Sequence, residues 1–166
     1  DCHIEVRDIK PWKMSFRVHL GVELLNLRSS RSSTPKRDCE TDFQSKLFGQ
    51  HNALNLTAAV ICASFLKVPE NRIKKAVADF AGTKRRLEIT KQLVINGQPC
   101  IVFDDFGHHP TEIKATIATL KTAYPEKTLW TVFQPHTFSR TEALFNDFAK
   151  CFEQSDKTII LDIYAS

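Results

Sequence analysis

None of the five cysteines in this 166-residue sequence, at positions 2, 39, 62, 100 and 151, stands near enough to another to form a CxxC pair. That excludes a zinc ribbon and a thioredoxin-type redox motif. Their odd number and wide spread predict reduced thiols and a cytosolic setting. Cys62 and Cys151 lie within apolar, helix-like patterns and are expected to pack as small core residues. No apolar run is long enough to span a membrane, and the opening "DCHIEVRDIK" has none of the features of a signal peptide, so no membrane partner is expected. The sequence lacks G-x-S-x-G, the nucleophile elbow, and G-x-x-x-x-G-K-[ST], the loop that cradles phosphates. Five glycines and seven prolines are too few for a fibrous or low-complexity chain. Without an initial Met, and with "TIILDIYAS" at its end, the chain is expected to be cut from something longer.

Charge of one sign is also scarce. The net charge of +4 comes from 23 basic and 19 acidic residues, and Arg28, Arg31, Lys36 and Arg37 in "RSSRSSTPKR" account for all of the excess. A nucleic-acid-binding face would spread basic residues and interleave aromatics. The local run instead predicts a solvated loop and no nucleic-acid partner. At 42% apolar and 25% charged residues, the chain can bury a core. Its length suits one domain or the adjoining parts of two.

The runs "HIEV", "MSFRVHL" and "VELLNL" read as strands. Next come two helices expected to pack as a pair: "HNALNLTAAVICASFLKV", and "PENRIKKAVADFAG" with Pro69 at its start and Gly82 at its stop. Asn96-Gly97 predicts a hairpin within "RRLEITKQLVINGQPCIVFDD". After it, "CIVFD", "PTEIKATIATLKTAY", "TLWTVF", "SRTEALFNDFAKCFEQ" and "TIILDI" alternate strand and helix. This rhythm predicts an α/β fold with a Rossmann-like parallel sheet, βαβαβ, covered on both faces. Pro110 suits a first helical turn, and "SRTE" reads as a capping box between Ser139 and Glu142.

In an open parallel sheet, ligands bind beyond the carboxyl ends of the strands. Those ends carry Asp104, Asp105, His108 and His109; then Gln134, His136 and Arg140; then Asp162 and Tyr164. Asp104 is equally suited to capping the next helix or to binding a ligand, and His109 before Pro110 suits an N-cap. Adjacent histidines rarely aim both rings at one ion, so no metal site is expected. Arg140, in the first turn of its helix, is misplaced for the helix dipole, and a bound carboxylate or phosphate would resolve the misfit, as would solvation. Asn52 and Asn55, three apart at a helix start, share a face and offer the donor and acceptor that an adenine edge pairs with; a cap and a surface Asn would explain them too. The arginines of "TKRRLE" are placed either to clamp phosphates or to sit in solvent.

In order and approximate spacing, "GQHNALN", "GTKRRLE", "DDFGHHPTEI", "FQPHTFSRT" and "LDIYAS" resemble the Mur ligases, continuously from about residue 43 onward and more loosely before it. The pair "HHPTEI" and "FQPH" is similar to that of the members joining L-alanine to UDP-N-acetylmuramate. The resemblance implies a three-domain, ATP-dependent, amide-forming enzyme of peptidoglycan precursor synthesis. In it ATP phosphorylates the muramate carboxylate, the alanine amine attacks the acyl phosphate, and Mg2+ stabilises the charge. It further implies that residues 1–82 end a central ATP-binding domain and that residues 83–166 begin a C-terminal, amino-acid-binding domain. By position, Asn52 and Asn55 match adenine-side asparagines, Arg86 a phosphate ligand and Asp105 a ribose ligand. His108 matches a position near the incoming amino acid, and His136 and Arg140 match the loop for the alanine carboxylate.

Two departures stand out: Thr137 replaces a second basic residue of the family, and "RSSRSSTPKRDCETD" (28–42) reads as an insertion. The family's phosphate-cradling loop, UDP-binding domain, metal-binding glutamate, central histidine and the end of the C-terminal domain are missing, so the isolated chain is expected to be inactive. A binding module without chemistry, or a ligase attaching a preformed peptide to muramate, are the rival readings. The Arg140 loop argues against the second.

Overall fold

The computed structural model describes residues 2–11, 13–20 and 39–164, and the chain divides into two compact units, Asp1–Ala81 and Gly82–Ser166. The strand expected at "VELLNL" and the basic run 28–37 lie outside the described residues.

In the first unit, β1 (Cys2–Lys10), β2 (Lys13–Leu20) and β3 (Cys39–Ser45) form an antiparallel sheet in that order. Strand β3 was not expected, because "CETD" reads as the end of a polar insertion. The alternation explains it: Phe43 and Ser45 are buried while Glu40, Asp42 and Gln44 face out. Register puts Phe16 opposite Phe43, with ring centroids 5.5 Å apart, and Arg17 opposite Asp42. On the outer face the Arg17 guanidinium grips Asp42 through Nε (2.7 Å) and Nη2 (2.9 Å) and reaches Glu40 at 2.9 Å. That hydrogen-bonded pairing holds the Asp42 carboxyl below its ordinary range. So the acids that make β3 look like a loop pin it to β2 from the solvent side.

The inner face, with Met14, Phe16, Val18 and Phe43, packs on Ala53, Leu56 and Val60 of α1 (Gln50–Phe65) and on Ile73 and Val77 of α2 (Glu70–Asp79). Both expected helices are present. Pro69 is the N-cap of α2 rather than its first residue. Cys62 does not pack as expected but is exposed. The buried stripe of α1 runs through Ala53, Leu56, Thr57, Val60 and Ser64, and at 3.6 residues per turn position 62 falls on the opposite side.

The second unit opens with the predicted hairpin, β4 (Glu88–Ile95) and β5 (Gln98–Asp104), turning at Asn96 and Gly97 with φ of 50° and 77°, as a type I′ turn requires. Helix α3 (Pro110–Ala123) follows, with Pro110 at its first position. Strands β6 (Trp130–Phe133) and β7 (Lys157–Ile160) pair in parallel, Trp130 opposite Lys157. This is the expected α/β arrangement with a parallel ladder, although the ladder recorded for β5 is with β4.

Ile113 and Ile117 of α3 pack with Phe148, Cys151, Phe133 and Phe152 to make the core of this unit. Among the described residues only one face of β6 is covered: Phe133 is half-buried, whereas Trp130 and Val132 are both 61% exposed. The single helix expected over 139–154 is broken into α4 (Phe138–Ala143) and α5 (Phe145–Cys151) at Leu144, whose φ of −113° leaves the helical region. The capping box is not formed: α4 starts earlier than expected, at Phe138, with Thr137 as its N-cap and Ser139 inside the helix. No helix among the described residues is long and apolar enough to cross a membrane.

Candidate functional site

Two short segments of the second unit interlock at the end of β5. Arg85 and Leu87 both hold φ near +50° (56° and 50°), a region that costs a non-glycine residue about 1–2 kcal/mol. Such strain persists where neighbouring bonds over-determine it, and here they do. The Arg85 N–H donates to Glu88 Oε2 at 2.8 Å, the Leu87 N–H to Asp105 Oδ2 at 2.9 Å, and the Phe106 N–H to the Arg85 carbonyl at 2.7 Å. The second oxygen of Asp105 accepts the Gly107 N–H at 2.7 Å. Arg86 is thus presented between two fixed left-handed residues.

Asp104 does not cap a helix; it accepts from Arg85 Nε at 3.2 Å, and the Arg85 guanidinium lies 5.0 Å from the Phe106 ring centre. His109 is the N-cap of α3, its Nδ1 accepting the Thr111 N–H at 3.3 Å. His108 Nδ1 lies 3.2 Å from the Phe106 carbonyl. A carbonyl only accepts, so this contact places the proton of the neutral ring on Nδ1 and leaves Nε2 as a lone pair.

One residue here was not singled out from the sequence. Glu112, in the first turn of α3, accepts the His108 N–H at 3.1 Å with one oxygen and the Arg86 guanidinium at 3.3 and 3.4 Å with the other. Partial burial works against ionisation, but the His108 N–H and the Arg86 charge outweigh it and hold the Glu112 carboxyl below its ordinary range. The signal was available: a Glu at the third helical position after an N-cap reaches back to backbone donors.

The ends of β6 and β7 meet as the parallel pairing requires. His136 and Tyr164 form a parallel bridge, with rings stacked at 5.6 Å, and Gln134 donates to the Asp162 carbonyl at 3.3 Å. Arg140 lies half-buried in α4 with no ion pair or side-chain hydrogen bond among the described residues. A six-residue helix has little dipole to misfit, so the feature here with chemistry suited to an anion is the unpaired guanidinium rather than the helix end. Among the described residues no hydrogen bond or ion pair joins the His136–Tyr164 group to the Arg86–Asp105–His108 group.

In the first unit, Gly49 caps α1, and Asn52 donates its amide to the Phe48 carbonyl at 2.9 Å, which leaves its side-chain oxygen as acceptor. Asn55 is exposed, and its side chain has no hydrogen-bond partner among the described residues. No group of three or more His, Cys, Asp or Glu able to hold a metal ion occurs among the described residues.

Residues 85–164 match the family model described as Mur ligase, glutamate ligase domain. The chain is similar to the UDP-N-acetylmuramate--L-alanine ligase of Levilactobacillus brevis, 45% identical over 125 residues, covering 75% of this chain and 27% of that protein. It is also similar to the protein of that name from Coxiella burnetii, 36% identical over 133 residues, covering 80% and 29%. A solved UDP-N-acetylmuramate-alanine ligase from Thermotoga maritima superposes with a TM-score of 0.72 at 21% identity, over 98% of this chain and 32% of that one. MurF from Acinetobacter baumannii gives 0.62 at 18% identity, over 96% and 34%. At these identities the structural likeness shows a shared fold. The chain spans about a quarter of the length of the curated relatives it matches.

Proposed function

Because this chain belongs to the Mur ligase family, we propose that it is a segment of a cytoplasmic, ATP-dependent ligase of peptidoglycan precursor synthesis that joins L-alanine to UDP-N-acetylmuramate. In this reading residues 1–82 end the central ATP-binding domain and residues 83–166 begin the amino-acid-binding domain. The observation that carries it is Arg140, a half-buried cation without an acid partner among the described residues, three residues after the N-cap Thr137, whose N–H donates to the Tyr164 carbonyl at 3.2 Å. A planar guanidinium of this kind suits a carboxylate, and the substrate amino acid brings one. Identity of 45% to a protein named for this reaction supports the same reading.

The roles are those that the family resemblance implies. ATP transfers its terminal phosphoryl group to the muramate carboxylate, the alanine amine attacks the acyl phosphate carbon, the C–N bond forms and phosphate leaves. In the second unit Arg86 is assigned to the nucleotide phosphates and Asp105 to the ribose hydroxyls; in the first, Asn52 and Asn55 are assigned to an adenine edge. His136 and Arg140 receive the alanine carboxylate with one cation fewer than the family pattern, since Thr137 is neutral. His108, with its proton on Nδ1, offers Nε2 as acceptor toward the amine. Mg2+, if bound with the nucleotide, would spread charge in phosphoryl transfer; among the described residues no group of three or more His, Cys, Asp or Glu gathers to hold it.

The test is a chimera. With this chain replacing the matching segment of the Levilactobacillus brevis relative, phosphate release should require ATP, L-alanine and UDP-N-acetylmuramate together. Release that ignores L-alanine, or a well-folded chimera with no release, would contradict the proposal. The isolated chain should release none above blank.

A further inference from the structure

We propose that Glu112 is the positioning residue of the nucleotide subsite: it sets the edge that Arg86 presents to a phosphate and holds the His108 turn in place. The proposal rests on the nucleotide reading above for its ligand, but its geometry belongs to the second unit alone. The two oxygens of Glu112 have separate tasks. Oε2 accepts the His108 N–H at 3.1 Å and lies 3.8 Å from His108 Nδ1, close enough for an ion pair when the ring is protonated. Oε1 accepts from both Nη1 (3.4 Å) and Nη2 (3.3 Å) of Arg86.

Contact through both terminal nitrogens uses the end of the guanidinium fork. The side edge, Nε–H with its neighbouring Nη–H, remains for a bidentate phosphate. Arg86 is 48% exposed along its side chain, so without Glu112 it would sample many rotamers, and ordering it would be left to the ligand. A carboxylate in the first turn of α3 does this ordering beforehand. It also ties Arg86 to the turn that carries Asp105 and His108, so the proposed ribose, phosphate and amine positions share one anchor.

The experiment uses the 166-residue chain, with ADP as probe followed by NMR, and the variants Glu112→Ala, Glu112→Gln, Arg86→Ala and the double alanine variant. Glu112→Ala should weaken ADP about tenfold, and the double variant should lose less than the two single losses combined, since Glu112 acts in large part through Arg86. Glu112→Gln keeps an acceptor and should restore affinity to within about threefold of the parent. Independently of any ligand, Glu112→Ala should raise Arg86 Nε mobility and speed exchange of the His108 amide, and Glu112→Gln should largely reverse both. Additive losses in the double variant, or an unchanged Arg86 Nε and His108 amide in Glu112→Ala, would overturn the proposal. If ADP fails to bind the parent chain while the ligand-free changes occur as described, the nucleotide reading fails and the positioning role of Glu112 stands.

Discussion

A methyl group on Gly107 would occupy space that the Asp105 carboxylate needs. A Cβ there would lie 2.8 Å from Asp105 Oδ1, closer than real Cβ atoms come, and 3.5 Å from the Glu112 Cβ. Gly107 does not have a positive φ, so Gly107→Ala carries no left-handed penalty and its whole effect is this contact. The carboxylate must swing away, lengthening its 2.7 Å bond from the Gly107 N–H and disturbing the 2.9 Å bond that its other oxygen accepts from Leu87. A net hydrogen bond to a charged acceptor contributes about 1.5–3 kcal/mol, and for a half-buried carboxylate the lower end applies. That is about a tenfold change in a local opening equilibrium. Native-state hydrogen exchange should therefore run about tenfold faster at the Gly107 and Leu87 amides, with the β4–β5 hairpin amides unchanged. Gly97→Ala is the control: its φ of +77° makes it costly, but nothing lies within 4 Å of the added carbon, so the Asp105-bound amides should not respond. Unchanged exchange at Gly107 and Leu87 in Gly107→Ala would refute the claim that Asp105 is clamped by these two donors.

Further predictions concern stability and reactivity. Thr57 is buried with a hydroxyl that has no hydrogen-bond partner among the described residues, so Thr57→Val should stabilise the chain by roughly 1 kcal/mol in urea unfolding; destabilisation would mean that the hydroxyl is satisfied. Asp156 accepts the Leu129 N–H at 2.7 Å and Lys121 Nζ at 2.9 Å, which holds its carboxyl below its ordinary value of 3.8. A depressed carboxyl contributes stability that is present above pH 3.8 and lost as pH falls through its folded value, so Asp156→Asn should flatten the acid limb of the stability curve; an unaltered limb would contradict this. Of Cys62, Cys100 and Cys151, exposed Cys62 should react first with a maleimide. Cys151, buried and with its thiol pushed up to about 11, should react last and only with unfolding; the reverse order would refute the core placement of Cys151.

Local chemistry was legible in the sequence wherever one residue type dictates a backbone shape. Asn96-Gly97 gave the hairpin, Pro110 the start of α3, and the alternation of near-continuous apolar strands with amphipathic helices the parallel pairing of β6 with β7. Features that depend on a distant partner were not legible. Strand β3 is acidic because Arg17 of β2 faces it, and the helix breaks at Leu144 where Phe148 and Cys151 pack against Ile113 and Ile117. The site shows the same division. Placement of His136 beside Tyr164 followed from strand order, whereas the bond from Leu87 to Asp105 and the grip of Glu112 on Arg86 join residues 18 and 26 positions apart. No periodicity reports such bonds.

The central claim is that Arg140 receives the carboxylate of the amino acid. It is tested by comparing Arg140→Ala with its parent in the active chimera, measuring KM separately for L-alanine, ATP and UDP-N-acetylmuramate. Loss of a charge-assisted hydrogen bond should raise KM for L-alanine at least tenfold and leave the other two within about twofold. An unchanged KM for L-alanine, or an equal rise in all three, would contradict it.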